Sequence, residues 1–248
     1  MVPLNPLERW RRLGTGWFGV VCELEGVIVS DIANFQRVAW RALATEENLR
    51  YPTEYELEHR QNLKSDQLIS QIFNWTHNKE EIRRLTLRRQ EILFKELEGY
   101  QVVIQPGALK LLALLRSNSI PCILISQYTK AEVEYVLRNS PLKESISFNI
   151  SGMHEDTRSP VITADDVRFG LPDTECISLC ASTLHRPHER ITIIGGSLQV
   201  LEAAIELRAH TIMVSGKRRA WELKRADLVV NTLEEICFQN LKNLLNEV

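Results

Sequence analysis

Glu23 and Glu25 stand two residues apart in the stretch Glu23-Leu24-Glu25-Gly26-Val27, directly after the apolar run Phe18–Cys22. A short, wholly apolar run bounded by turn residues reads as a buried strand. Open α/β sheets gather their ligands at the carboxyl ends of such strands, so this carboxylate pair stands where a ligand is met. Carboxylates there either serve a ligand site or cap the loop that follows. Both roles are open. Gly26 permits the tight turn that the loop needs. Ser126, which ends a second apolar run, and Ser197, after a third, offer hydroxyls at equivalent places. Such hydroxyls contact an anion or simply cap a strand end.

Several elements must hold these residues in place. Apolar runs at Phe18–Cys22, Ile120–Ser126, Ile191–Ile194, Thr211–Val214 and Asp227–Val230 predict five strands, and the weaker Ser145–Ile150 a sixth. Helical patterns at Gly107–Arg116, Lys130–Arg138, Thr174–Leu184, Leu198–Arg208 and Leu233–Leu245 lie between and after them. This alternation is the signature of a parallel sheet covered on both faces. One stretch departs from it: residues 33–99 contain no strand candidate and predict helices at Asn34–Glu47, Ser65–Trp75 and Lys79–Glu98. The fold expected is therefore α/β, a Rossmann-like parallel sheet with an all-helical cap inserted after its first strand. Residues 1–17 form an N-terminal extension, 18–32 and 100–248 the core, and 33–99 the cap.

Composition narrows the function classes. The chain has 248 residues, 44% of them hydrophobic and 25% charged, with 30 Lys and Arg against 32 Asp and Glu. That is a globular make-up, and a net charge of −2 argues against a surface built throughout for a polyanion. The run Lys217-Arg218-Arg219 is too short to claim nucleic acid. No apolar run reaches the roughly 18 residues that span a bilayer. The N-terminus carries Arg9, Arg11 and Arg12 without an apolar core, so it is no secretory signal, and with Glu8 and no Ser it is a poor transit peptide. The expectation is a cytosolic chain, or one whose targeting segment has been removed. The five cysteines, Cys22, Cys122, Cys176, Cys180 and Cys237, show no metal spacing and read as structural thiols in a reducing compartment. The six histidines do not cluster either.

The carboxylate stretch resembles motif I of the haloacid-dehalogenase-like (HAD) superfamily, a hydrophobic strand followed by Asp-x-Asp-Gly-Val/Thr. The resemblance continues along the chain. Ser126 in Ile123-Leu124-Ile125-Ser126 is similar to motif II, and Gly170-Leu171-Pro172-Asp173 to motif III. Ile193-Ile194-Gly195-Gly196-Ser197, with Glu202-Ala203-Ala204 behind it, is similar to motif IV. The Glu-x-Glu-Gly-Val form is similar to plant plastid, CbbY-like members of the family that include a phosphatase of riboflavin synthesis, with an apparent insert near 151–161 in this chain. That resemblance implies plastid localisation and hydrolysis of a small phosphate ester such as 5-amino-6-(5-phosphoribitylamino)uracil.

The family's chemistry implies four charged roles. Glu23 holds the nucleophile position and Glu25 the acid/base position, each with one extra methylene that moves its oxygens by about 1.3 Å. Misplacement near 1 Å costs on the order of 100-fold. Leu171 stands where a Lys neutralises charge, and Gly196 where an Asp helps to hold Mg²⁺. Ser126, Gly170 and Ser197 keep the phosphate-binding positions. Arg158 or Arg168 in the preceding loop, or Lys130 on the helix after Ser126, could reach in to substitute; the alternative, which the sequence favours, is that each is an exposed loop or helix charge. The expectation is a catalytically degenerate HAD protein with a structural, scaffold or regulatory role, needing no cofactor. The alternative is an Mg²⁺-dependent phosphatase with the metal held by Glu23 and Glu25. Protein partners are expected on the N-terminal segment (Pro3, Pro6, Arg9, Trp10, Arg11, Arg12, Trp17), the helix at Lys79–Glu98, or the insert at 151–161. Trp and Arg are favoured at interfaces; the alternative is that Trp10 and Trp17 pack onto the core.

Overall fold

The computed structural model describes residues 18–246 except 31, 60–62, 139, 141–160 and 217. Six strands form one sheet: β1 (Gly19–Glu23), β2 (Cys122–Ile125), β3 (Val161–Ile162), β4 (Ile191–Gly195), β5 (His210–Val214) and β6 (Leu228–Val230). They run parallel in the order β3-β2-β1-β4-β5-β6. The order turns back at β1, which pairs Val20 with Cys122 on one side and Thr192 on the other. A crevice opens at such a reversal in an open sheet, and Glu23 ends the strand that sits there.

Period-two alternation divides the core between two faces. Val20, Cys22, Leu124, Ile194 and Ile212 face one layer. It is built from α5 (Ala108–Ser117), α6 (Lys130–Arg138) and α9 (Phe238–Asn246). Val21, Ile123, Ile125, Ile193 and Met213 face α7 (Glu175–Leu184) and α8 (Leu198–Glu206). Central strands buried on both faces read as continuous apolar runs, which is why these strands were legible.

Between β1 and α5 the regular elements among the described residues are all helices: α1 (Ala33–Glu46), α2 (Glu54–His59), α3 (Ser65–Gln67, continuing as a π turn through Leu68–Ile72) and α4 (Lys79–Glu96). They enclose a small core of their own, with Trp40, Leu43, Leu57, Leu68, Ile69, Phe73 and Leu85 buried together. Asn78 starts α4 by accepting the amides of Glu80 and Glu81, an N-cap that satisfies otherwise orphaned donors.

Three expectations need correction in detail. Short α2 had no clear pattern. The helix expected over Ser65–Trp75 widens into the π turn and ends at Ile72, and the one expected over Leu233–Leu245 divides into a short turn at Leu233–Glu235 and α9. Third, β3 at Val161–Ile162 was not foreseen, since two residues carry no period; the run Ser145–Ile150 lies outside the described residues, as do the extension 1–17 and most of the insert at 151–161.

Candidate functional site

The loop after β1 folds back on itself. Gly26 donates its amide to Val29 O at 2.9 Å, and Ile28 and Val29 donate theirs to Leu24 O at 3.0 Å. Gly26 has φ of +74°, a left-handed geometry that glycine adopts without strain. Residues two apart on a continuing strand would share a face, but β1 ends at Glu23 and the turn carries Glu25 into different surroundings.

Glu23 is buried at 5% exposure. Its Oε2 accepts the backbone amides of Gly196 (2.8 Å) and Ser197 (3.0 Å), at the β4-to-α8 turn. Burial pushes the carboxyl above its ordinary range; the Ser197 hydroxyl, the two amides and the Arg218 guanidinium pull in the opposite direction without cancelling it. Glu25 is only half-buried and accepts a hydrogen bond from Ser126 Oγ. Ser126 Oγ in turn accepts the Tyr128 amide at 3.0 Å. Ser197 begins α8 as its N-cap, accepting the Val200 amide at 3.3 Å. The structure thus brings Glu23, Gly196 and Ser197 into one cluster and Glu25 with Ser126 into another, side by side across β1.

The third loop approaches through Gln127. Its Oε1 accepts the Leu171 amide at 3.2 Å, placing the Gly170-Leu171 segment next to Ser126. A Cβ on Gly170 would meet Gln127 Oε1 at 2.7 Å, Lys64 Cγ at 2.8 Å and Gln67 Oε1 at 2.9 Å. Gly170 therefore admits the close approach of Gln127, Lys64 and Gln67. The Leu171 side chain turns the other way. It is 1% exposed and packs with Val21, Ile125, Ile162 and Ile177 in the apolar layer beneath the sheet.

Of the substitute cations foreseen, Arg168 and Lys130 are exposed, and Arg158 lies outside the described residues. Two others reach the region, and neither was foreseen. Arg218 donates from Nε to Gly196 O at 3.0 Å and acts on Glu23. Lys64 reaches out from the helical insert and donates Nζ to Val167 O at 2.6 Å, behind the Gly170 loop. Arg218 could have been suspected, since it follows the carboxyl end of β5 by four residues. Lys64 belongs to a distant helical segment, and no local pattern marks it.

Comparison with known proteins agrees with this architecture. The pattern of the haloacid dehalogenase-like hydrolases matches residues 24–214. The chain is 31% identical over 240 residues to the chloroplastic 5-amino-6-(5-phospho-D-ribitylamino)uracil phosphatase of Arabidopsis thaliana, covering 97% of this chain and 61% of that protein. Among solved structures, a HAD hydrolase of family IA, variant 3, from Entamoeba histolytica matches with a TM-score of 0.76 at 18% identity, covering 92% of this chain and 99% of the other. CbbY from Rhodobacter sphaeroides, in complex with phosphate, matches at 0.71 and 17%, covering 88% and 96%. Those identities speak for the fold alone. With the sheet order, the loops ending β1, β2 and β4, and a family pattern spanning most of the chain, the protein belongs to the haloacid dehalogenase-like hydrolases.

Proposed function

We propose that this chain is a catalytically degenerate member of its family, a pseudophosphatase with a structural, scaffold or regulatory role that binds no Mg²⁺. The observation that carries this reading is Leu171. The family's chemistry needs an ammonium group at that place, and the side chain there is an apolar one buried beneath the sheet. Phosphoryl transfer depends on positioned charge, and Leu supplies none.

The donor set supports the same conclusion for the metal. Mg²⁺ is held by carboxylate and other oxygens in a near-octahedral shell. Gly196 brings no side-chain oxygen, and the Glu23 oxygen beside it already accepts two N–H groups. Those N–H dipoles and the Arg218 guanidinium make the immediate surroundings positive, which disfavours a cation. Glu23 is better described as a staple between β1 and the β4 loop than as a nucleophile. The resemblance to a chloroplastic protein further supports a plastid location.

A phosphatase like the Arabidopsis relative is the second reading, favoured by the survival of Glu23, Glu25 and Ser126 at adjacent strand ends. Hydrolysis of phosphate monoesters in millimolar Mg²⁺ separates the two. No turnover is expected above that of a protein-free control. Mg²⁺-dependent hydrolysis that disappears in Glu23→Gln would establish the phosphatase instead. The converse variant carries Glu23→Asp, Glu25→Asp, Leu171→Lys and Gly196→Asp together. Since a Cβ at position 196 would sit 3.3 Å from Val27 Cγ2, Val27→Ala is included to clear space for the new carboxylate.

A further inference from the structure

We propose that the short helix Ala220–Leu223 and its flanks form a docking surface for an acidic segment of a partner protein, with Trp221 as its anchor. Trp221 is 66% exposed, more than any other large apolar side chain among the described residues. A lone exposed apolar residue needs no explanation. The setting of this one does.

The segment lies between β5 and β6 and takes the 3₁₀ form, in which residues i and i+3 share an edge. Leu223 points inward and is fully buried beneath the sheet, which turns Trp221 and Lys224 outward on another edge. The support is braced at several points. The Arg218 amide donates to Ser215 O (2.7 Å), Glu222 N to Arg219 O (2.9 Å) and Ala226 N to Leu223 O (2.9 Å), while Arg218 Nε holds Gly196 O. An indole presented on a rigid mount loses little freedom on binding, which favours association.

The charge around the ring is one-sided. Arg219, Lys224 and Arg225 are exposed, and none makes an ion pair with a carboxylate among the described residues. The neighbouring acids are engaged elsewhere: Glu222 lies 3.8 Å from Arg218, and Asp227 Oδ2 accepts Thr211 N (2.7 Å) and Oγ1 (3.0 Å). The helix α4, expected from the sequence to carry a partner, is the opposite case. Its Arg84 and Arg88 are already paired with Glu46, Glu47, Glu81 and Glu91. Free cations flanking a fixed Trp are an interface hot-spot chemistry.

This arrangement selects the occupant. A second copy of the same surface would bring like charges together, which costs binding energy. Single-stranded nucleic acid stacks successive bases on several aromatic rings along a basic track, and a single indole with three free cations is too short for that. An acidic peptide segment with an apolar side chain to cover the indole fits both features.

The test uses the whole chain and a fluorescein-labelled peptide of Glu and Asp residues around one Leu-Phe pair, read by fluorescence anisotropy. Binding is expected to weaken as salt rises. It should fall roughly 10- to 30-fold in Trp221→Ala, and comparably in the double variant Arg219→Glu/Arg225→Glu. Leu87→Ala, at the exposed Leu87 of α4, should leave it unchanged. No detectable binding by the unaltered chain, or undiminished affinity in either the Trp221 or the double-charge variant, overturns the proposal. So does an oligothymidylate of equal length binding as tightly as the peptide, which would make the surface one for nucleic acid.

Discussion

At the carboxyl end of the sheet, Glu23 is buried against backbone amides with Leu171 packed nearby where the family's chemistry asks for a cation. At the seam between the helical insert and the core, a cation and a carboxylate are buried against each other. Arg89 of α4 and Glu132 of α6 approach to 2.7 Å with side chains 3% and 1% exposed. Arg89 also donates to Gln36 of α1 and to Ser65 Oγ (3.0 Å), and stacks over Trp40 with its guanidinium carbon 5.1 Å from the ring centroid. Glu132 Oε2 accepts the Thr129 amide at 2.8 Å, and Gln90 Nε2 donates to Thr129 Oγ1 at 3.0 Å. The two regions teach that a buried carboxylate can be held in two ways, by backbone N–H groups at Glu23 and by a buried guanidinium at Glu132. Backbone N–H groups make the close contacts of Glu23, whereas Arg89 faces a buried counter-ion in addition to its neutral partners.

The largest effect should come from breaking that counter-ion. Removing one member of a buried pair strands the other in a low-dielectric environment and costs about 3–5 kcal/mol. Glu132→Ala is therefore expected to lose that much in urea denaturation, and Arg89→Met a similar amount. The double variant Arg89→Met/Glu132→Leu should recover most of it, because two apolar side chains of matching volume replace the pair without leaving an unpaired charge. Single variants costing less than about 1 kcal/mol would show the seam to be wet, and the contrast with Glu23 would collapse.

A smaller effect tests the other region. Leu171→Lys restores the family's residue in a place that has closed over it. The variant forfeits the roughly 1.5–3 kcal/mol of a buried Leu and must bring its ammonium out to solvent or to Glu23. A net loss of about 3 kcal/mol is expected in the same denaturation experiment, with no phosphatase activity. A Lys tolerated there without loss would mean that the position still faces the crevice and accepts the ammonium group that the family's chemistry needs.

How far these regions could be read from sequence follows from the range of the interactions. The strands and the carboxylate stretch declare themselves locally. Phe18–Cys22 is apolar throughout because β1 is buried on both faces, and Gly26 marks the turn that its positive φ requires. The departures at Leu171 and Gly196 were likewise visible as residue types in fixed motif positions. The Arg89–Glu132 pair was not, because its members lie on different helices, 43 residues apart in the chain, and α4 shows several other arginines. Arg83, Arg84, Arg88 and Arg89 stand among other charged residues there, and nothing in the spacing says that one of them turns inward. The two-residue β3 and the approach of Lys64 to the Gly170 loop depend in the same way on tertiary contact.

The smallest effect concerns the solvent-facing pairs of the insert, which differ from the seam only in being exposed. Glu46 and Glu47 of the α1 end meet Arg88 and Arg84 of α4 at 2.7 Å, and Glu56 meets Arg50 at 2.8 Å. In each case the hydrogen-bonded guanidinium holds the carboxyl below its ordinary range. A depressed folded-state value means that the stabilisation is present above the unfolded-state value, near 4.3 for Glu, and is lost as pH falls through the folded-state value. Mild acid should therefore loosen the insert before the sheet. Hydrogen exchange should quicken over residues 33–97 below about pH 4 while β1, β2 and β4 stay protected. High salt at neutral pH should reproduce part of this by screening exposed pairs and leave the buried Arg89–Glu132 seam unaffected. Simultaneous loss of protection in the insert and the strands would show that the seam, not the surface pairs, governs how the two parts come apart.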